Sequence, residues 1–214
     1  MEFLPIFLAA CDRHVLIVGG GQMADAKCRG ILKTSACVTV FADNPSEQAL
    51  AWARSGDIEL RAGLPESSDF TGGALVYAAH HSDQVNDQIA VSARDKGALV
   101  NVLDRTDACD FITPAIVDRD PVVVAIGTEG SAPVLARQIK ADIEAILPAD
   151  LGRFARLAKG FRARVRALPE GLARRKFWRD VFKPERVVAE NSDEVIRQEF
   201  EALLERHMRL EPEQ

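Results

Sequence analysis

The sequence predicts an α/β fold, in which a parallel, doubly wound β-sheet precedes a small α+β unit and a helical C-terminal region. Three observations predict it. In the first half of the 214-residue chain, short apolar runs alternate with amphipathic segments, which is typical of parallel strands joined by helices. A glycine-rich turn joins the first of these strands to the first helix. Beyond residue 150 the pattern becomes helical and strongly basic.

The elements of the predicted sheet follow one another in order. His14–Val18 is a short apolar run bounded by glycine, as expected of a strand buried on both faces. The elements that follow are a helix over 24–32, a strand over 37–41, a strand over 74–79, a helix over 83–96 and a strand over 98–103. Gly97 is placed to end the second of these helices.

The pattern changes after Phe111. Two β-rich runs flank an Asp-Arg-Asp-Pro turn at 118–121, which predicts an antiparallel hairpin. A long helix from Pro133 to about Leu147 follows, with apolar residues at four-residue spacing. We therefore predict three domains, which comprise residues 1–113, 114–148 and 149–214.

The composition is that of a soluble protein, with 47% apolar and 28% charged residues. The apolar runs are too short to cross a membrane. Residues 1–8 are apolar, but they lack a basic start and run into Asp12 and Arg13, so we interpret them as a strand rather than a signal peptide. These features predict a cytoplasmic protein with no membrane partner.

A basic segment extends from Arg153 to Arg179, with ten Arg and Lys residues against the single acid Glu170. It predicts an anionic ligand. Nucleic acid is not expected to be that ligand, because the net charge is −5 and aromatic residues suited to base stacking are few. The four cysteines are scattered, with no Cys-x-x-Cys pair and no nearby histidine, so no metal site is predicted.

The first glycine turn predicts a Rossmann-like dinucleotide site. Gly19-x-Gly21-x-x-Ala24 directly follows a strand and opens a helix, whose free N–H groups and partial positive charge favour phosphate. Asp43 ends the second strand beside Asn44, where a carboxylate can bind ribose hydroxyls and would repel a 2′-phosphate. NAD is therefore favoured over NADP, the alternative being that Asp43 is a solvated loop residue. The candidate cofactor contacts are Gly19, Gly20, Gly21, Gln22, Met23, Ala24, Asp43 and Asn44.

Asp104 is the best-placed candidate for proton transfer, because ligands of such sheets bind at the carboxyl ends of the strands. A helix cap or an ordinary loop residue is the alternative, and Asp107 and Asp110 are nearby rivals. His80 and His81 follow an earlier strand. Adjacent residues of an extended chain point to opposite faces, so we expect loop residues near the cofactor rather than a metal site.

An ordered set of motifs covers nearly the whole chain. It comprises Leu4-Pro5-Ile6-Phe7, Val18-Gly19-Gly20-Gly21, Asn101-Val102-Leu103-Asp104, Phe111-Ile112-Thr113-Pro114-Ala115-Ile116 and Gly130-Ser131-Ala132-Pro133-Val134-Leu135-Ala136-Arg137. In this order the motifs resemble the precorrin-2 dehydrogenase and ferrochelatase module of siroheme synthase. The sequence departs from that family at His80-His81, Gly127 and Ala132, where related sequences carry other residues.

The resemblance implies NAD-dependent oxidation of precorrin-2 to sirohydrochlorin, together with insertion of ferrous iron, as a substrate, to give siroheme. It implies cofactor contacts at Gln22-Met23 and Asp43-Asn44 and a general base at Asp104. It also implies a homodimer formed through the segment 114–148 and a helical C-terminal domain that closes the tetrapyrrole cleft. A dehydrogenase acting with a separate chelatase, and a non-catalytic NAD-sensing module, are the alternatives.

The second glycine turn, 125–137, first looks like another nucleotide loop, but no acidic strand end follows it. Through the resemblance we interpret it as a turn facing the tetrapyrrole. Ala132 precedes Pro133 and is a poor helix cap, so Ser131, Thr128 or a substrate carboxylate is expected to accept the free amides. The candidate substrate contacts are Thr128, Gly130, Ser131 and Arg137.

Overall fold

The computed structural model describes residues 1–184 and 191–210. The chain divides into two compact units. The first contains residues 1–113 together with 129–131, and the second contains 114–128 and the described residues from 132 onward. The finer division into three domains stays a prediction.

The first unit is a five-stranded parallel sheet with the strand order β3-β2-β1-β4-β5. The predicted parallel sheet is therefore confirmed, although α1 begins three residues earlier than expected, and α2 and β3 were not predicted from the sequence. Its elements are β1 (His14–Val18), α1 (Gly21–Ile31), β2 (Cys37–Phe41), α2 (Glu47–Ser55), β3 (Glu59–Arg61), β4 (Gly73–Ala78), α3 (Asp83–Asp95) and β5 (Leu99–Val102), with short 3-10 turns at Ser67–Phe70 and Thr106–Ala108.

The central strand β1 explains why the sequence there is continuously apolar. Leu16, Ile17 and Val18 have no solvent-exposed surface. Leu16 packs in a cluster that includes residues of α3, whereas Ile17 packs in a second cluster that includes residues of α1. Because both faces of the strand are covered by helices, neither face can carry polar side chains.

The N-terminal segment corrects a prediction. Residues 1–10 form no strand, and Leu4, Ile6 and Phe7 are 76%, 68% and 78% exposed. The amides of Glu2 and Phe3 instead donate to Glu129 Oε1, over 2.8 and 3.4 Å. An apolar run becomes a strand only where a neighbouring strand pairs with its backbone, and composition alone does not supply that partner.

The second unit begins with the predicted hairpin. β6 (Ala115–Arg119) and β7 (Val122–Ile126) pair antiparallel, with Val117 opposite Val124. The turn between them contains a cis bond between Asp120 and Pro121. α4 (Pro133–Ile146) packs against this hairpin, so the predicted long helix is confirmed too.

Among the described residues, three helices complete the second unit: α5 (Leu151–Val165), α6 (Leu172–Val181) and α7 (Asp193–Leu210). Their core is aromatic, with the rings of Phe154 and Phe161 each meeting Phe200 edge-on at centroid distances of 5.3 and 5.2 Å. Gly152 lets α5 approach the hairpin, because a Cβ at this position would overlap the carbonyl oxygen of Arg119. No helix within residues 1–184 and 191–210 is long and apolar enough to cross a membrane.

Candidate functional site

The carboxyl ends of four neighbouring strands form one edge of the sheet. β1 ends in the turn 19–21, β2 in 42–44, β4 in 79–81 and β5 in 103–104. The chain order reverses between β1 and β4, and such a reversal leaves a crevice in which ligands of open α/β sheets bind. The sequence-predicted cofactor residues and Asp104 all lie along this edge.

The first two positions of the turn after β1 have room only for glycine. Gly19 has φ +136°, and a Cβ there would overlap the carbonyl oxygen of Ala79. A Cβ on Gly20 would lie 2.8 Å from the carbonyl oxygen of Asn44. Gly21 has φ +78° and nothing near it, so backbone there is open to an approaching ligand.

Helix α1 begins at this turn, and its first amides have no acceptor inside the helix. The capping position is Gly20, which has no side chain to bond them. Gln22 and Met23 are exposed, whereas Ala24 is buried where the helix packs on the sheet. The arrangement leaves a helix N-terminus able to hold an anion such as a pyrophosphate.

Asp43 is exposed after β2, and its Oδ1 accepts a hydrogen bond from the Gly63 amide at 3.0 Å. The nearby cation Arg61 is already engaged, by Glu59 at 2.9 Å and by Asp69 at 2.7 Å. The pKa of Glu59 is correspondingly held below its ordinary value by Arg61. This edge of β2 therefore presents a carboxylate, with its nearby guanidinium turned to other partners.

His80 and His81 do not point to opposite faces, so that expectation is wrong. Their rings lie 4.0 Å apart between centroids, because the chain has left β4 and turns at this point. The buried Asn86 binds both the N–H and the carbonyl of His80, while His80 Nδ1 accepts from the Ser82 amide at 3.1 Å. Among the described residues, no group of three or more metal-binding side chains occurs.

Asp104 follows β5 in a left-handed conformation, φ +57°, and is exposed. Its rival Asp110 has a structural task, because Arg94 binds it at 3.0 Å and it accepts from the Val100 amide at 2.9 Å. Asp107 is exposed in the 3-10 turn that follows. Of the three carboxylates, Asp104 is the one nearest along the chain to the end of β5.

Lys27 is a candidate functional residue that the sequence did not indicate. Its ammonium lies 5.5 Å from the Tyr77 ring centroid and 3.4 Å from Thr113 Oγ1. Burial lowers the pKa of Lys27, while the charges of Cys109 and Asp104 act in the opposite direction. Lys27 therefore brings a positive charge into the surroundings of Asp104. The only signal was its position three residues after Ala24, on a neighbouring part of the helix surface.

The second glycine turn divides between the units. Residues 129–131 belong to the first unit, where a Cβ on Gly130 would lie 2.7 Å from Thr106 Oγ1. The structure thus brings Gly130 to the loop that follows Asp104. Thr128 and Arg137 belong to the second unit, so their contact with substrate stays a prediction.

The start of α4 agrees with the expected weak cap. Ala132 occupies the capping position, without a side-chain bond to the helix, and Pro133 is the first helical residue. Gly130 and the left-handed Glu129 form the turn before it. The role of Ser131 toward substrate stays a prediction.

Comparisons with known proteins agree with this geometry. Residues 6–115 match the family described as putative NAD(P)-binding, and residues 150–208 match the sirohaem synthase dimerisation region. The fold and its glycine turn therefore define an NAD(P)-binding α/β protein. The dimerisation match lies after the segment 114–148, to which the sequence assigned the dimer contact, and that assignment stays a prediction.

Relatives narrow the class further. Siroheme synthase of Methylococcus capsulatus is 43% identical, over 93% of this chain and 45% of its own length. Siroheme synthase 1 of Aeromonas hydrophila is 42% identical, over 89% of this chain and 41% of its own. The chain belongs to the family formed by the N-terminal module of siroheme synthase, and it spans less than half the length of these relatives.

A solved structure shares the fold. The precorrin-2 dehydrogenase SirC superimposes with a TM-score of 0.74, covering 95% of this chain and all of its own, at 21% sequence identity.

Proposed function

We propose that this protein oxidises precorrin-2 to sirohydrochlorin with NAD. The observation that carries the proposal is the placement of the glycine turn and Asp104 along one sheet edge, in a chain of the siroheme synthase family. The oxidation removes a hydride and a proton from the substrate. The site therefore has to provide a dinucleotide cradle and a proton acceptor.

The residues present fit the dinucleotide. Gly19 and Gly20 let the turn pack against the backbone of Ala79 and Asn44, Gly21 has open space beside it, and α1 offers uncapped amides to a pyrophosphate. Asp43 would bind the ribose hydroxyls, since one of its oxygens is held by Gly63 and the other remains for the ligand. Preference for NAD over NADP follows, because Arg61 is engaged by carboxylates and a 2′-phosphate would meet Asp43. When bound, NAD supplies the hydride acceptor.

Asp104 would act as the general base. It is exposed at the carboxyl end of β5, where a carboxylate oxygen can take the proton that leaves the macrocycle. Lys27 would supply a positive charge in the surroundings of this carboxylate. The candidate substrate contacts remain Gly130, Ser131, Thr128 and Arg137.

Insertion of ferrous iron into sirohydrochlorin is the second step that we propose. Iron is here a substrate, and two pyrrole protons must leave as it enters. Asp104 is the candidate to receive them. The alternative is a dehydrogenase acting beside a separate chelatase, which an assay with sirohydrochlorin and iron distinguishes.

We further propose a cytoplasmic homodimer. Its support is the match to a dimerisation region and the apolar surface that the hairpin and α4 leave open. On that surface Val134, Leu135 and Ile146 are 69%, 53% and 76% exposed. Large apolar side chains that are exposed on one helix are expected to be covered by a partner. Sedimentation of wild type and Leu135→Glu checks this, the variant being expected to dissociate.

The test of the function uses the protein with precorrin-2 and either NAD or NADP. We expect NADH and sirohydrochlorin to form together, faster than the products with NADP. Ferrous iron is then added to purified sirohydrochlorin, with and without the protein. Absence of NADH formation contradicts the proposal. If iron enters sirohydrochlorin at the same rate with and without the protein, the proposed function is limited to the dehydrogenase reaction.

A further inference from the structure

A cleft in the second unit lies between α5 and α6 and has a volume of about 520 Å³. This is within the range of roughly 300–1,000 Å³ that is usual for small-molecule sites. Its wall on α5 carries Lys159, Arg162 and Arg166, whose spacing of three and four residues places them on one face of the helix. Its other wall carries Trp178 and Phe182.

The cations of this cleft differ from the other basic residues around them. Four members of the basic segment have carboxylate partners: Arg153 with Asp193, Arg156 with Asp120, Arg164 with Glu201 and Arg174 with Glu170. Within residues 1–184 and 191–210, Lys159, Arg162 and Arg166 have no hydrogen bond or ion pair through their side chains.

Arg174 also lines the cleft, but it has a structural task. Its guanidinium donates to the carbonyl oxygens of Leu168 and Arg166, at 2.9 and 3.1 Å, and so closes the end of α5. The positive charge available to a ligand is therefore that of the three α5 residues.

The aromatic wall is flat. The rings of Trp178 and Phe182 stack with their centroids 5.9 Å apart and their planes inclined by 27°. Trp178 is half-buried and Phe182 is 45% exposed, which leaves ring surface uncovered. Ala158 and Val165 provide an apolar floor. A planar ring that carries several acidic groups complements both the aromatic wall and the cationic wall.

We propose that this cleft binds the carboxylate-bearing pyrrole rings of a tetrapyrrole, whose side-chain acids pair with Lys159, Arg162 and Arg166. The ring edge rests on Trp178 and Phe182. The ligand class rests on the proposed function, in which the substrate and the product are polycarboxylate tetrapyrroles. The cleft belongs to the second unit alone, and it uses none of the residues assigned to the dinucleotide.

The experiment measures binding of octacarboxylate uroporphyrin to the full chain by fluorescence anisotropy. The variant combines Lys159→Glu, Arg162→Glu and Arg166→Glu. Its matched control combines Arg175→Glu, Lys176→Glu and Arg179→Glu, which changes the charge equally at exposed positions outside the cleft. We expect the cleft variant to bind uroporphyrin at least ~10-fold more weakly than wild type, and the control variant to lose less than ~3-fold in affinity. Wild type is expected to bind tetracarboxylate coproporphyrin more weakly than uroporphyrin.

Phe182→Ala tests the aromatic wall without a change of charge. It is expected to weaken uroporphyrin binding ~3-fold or more, because stacking between two aromatic rings contributes about 1 kcal/mol. The proposed site is contradicted if both charge variants weaken uroporphyrin binding equally, or if neither weakens it. An RNA oligonucleotide that displaces uroporphyrin and binds more tightly overturns the assignment of a tetrapyrrole.

NADH formation from precorrin-2 separates the two proposals. If wild type forms NADH but both charge variants bind uroporphyrin like wild type, the cleft fails and the proposed function stands. If wild type forms no NADH while the cleft variant alone loses uroporphyrin, the proposed function fails and the cleft stands. Circular dichroism of each variant confirms that the helices are retained.

Discussion

A Cβ on Gly19 would overlap the carbonyl oxygen of Ala79, so the loops after β1 and β4 meet with no space for a side chain between them. The contact lies at the carboxyl ends of β1 and β4, where the chain order reverses. It also joins the glycine turn to the strand that carries His80 and His81 at its end.

Gly19→Ala is therefore expected to damage both the fold and the cofactor site. The φ of +136° strains any L-residue, and the new methyl group overlaps Ala79, so the free energy of unfolding should fall by about 3 kcal/mol or more. Denaturant unfolding and NAD titration measure the two effects. Gly30→Ala is the control, because Gly30 lies in α1 with open space around it and should gain roughly 0.5–1 kcal/mol. Equal stability of the two variants would contradict the contact.

Asp104→Asn is expected to lower kcat for NADH formation ~100-fold or more, because the amide cannot accept the proton. The Kd for NAD should change by less than ~2-fold, since Asp104 lies after β5 and the cofactor turn follows β1. Steady-state kinetics and NAD titration check the two values. Asp107→Asn serves as the control for loss of a nearby charge. If Asp107→Asn lowers kcat as much as Asp104→Asn does, the assignment of Asp104 as the general base is contradicted.

Asp43→Ala is expected to weaken NAD binding ~10-fold, the effect of losing hydrogen bonds to a charged group. The ratio of NADP to NAD affinity should rise, because the repulsion of a 2′-phosphate disappears. Titration with both dinucleotides measures the ratio. Glu47→Gln removes one exposed negative charge from the start of α2 and should leave the ratio unchanged. An unchanged ratio in Asp43→Ala would make Asp43 a solvated loop residue.

Acid should destabilise the second unit through Asp180. Hydrogen bonds from Lys183 and from His207, at 2.9 Å, hold the pKa of Asp180 below its ordinary value. A lowered carboxyl pKa stabilises the fold above the unfolded value, near pH 4, and this stabilisation is lost as pH falls through the folded value.

Asp180→Asn should therefore lower the free energy of unfolding at neutral pH by roughly 0.5–1 kcal/mol and flatten its dependence on acid. Thermal unfolding of α5, α6 and α7 between neutral and acidic pH measures both effects. Glu205→Gln in the exposed Arg209 pair is the control and should change neither. A steep acid dependence in Asp180→Asn would assign the effect to another carboxylate.

The sequence by itself determined the parallel sheet, the glycine turn, the hairpin and the long helix after it. Each depends on local signals: a continuous apolar run in β1, glycines where the backbone needs positive φ, and four-residue spacing in α4. Such signals involve residues that are close together in the sequence, because a buried strand and an amphipathic helix each produce a regular pattern of apolar residues along the chain.

Only the tertiary structure decided which distant residues meet. Lys27 reaches the surroundings of Asp104 across 77 positions of the sequence, and Gly130 reaches Thr106 from the second glycine turn. The N-terminal run remained unpaired, and the His80 and His81 rings came together, because strand partners and loop turns are set by packing between elements. The tertiary structure also distinguishes the three cations of the cleft from their neighbours on α5. Arg153 and Arg164 have carboxylate partners, whereas the cleft cations have none among the described residues.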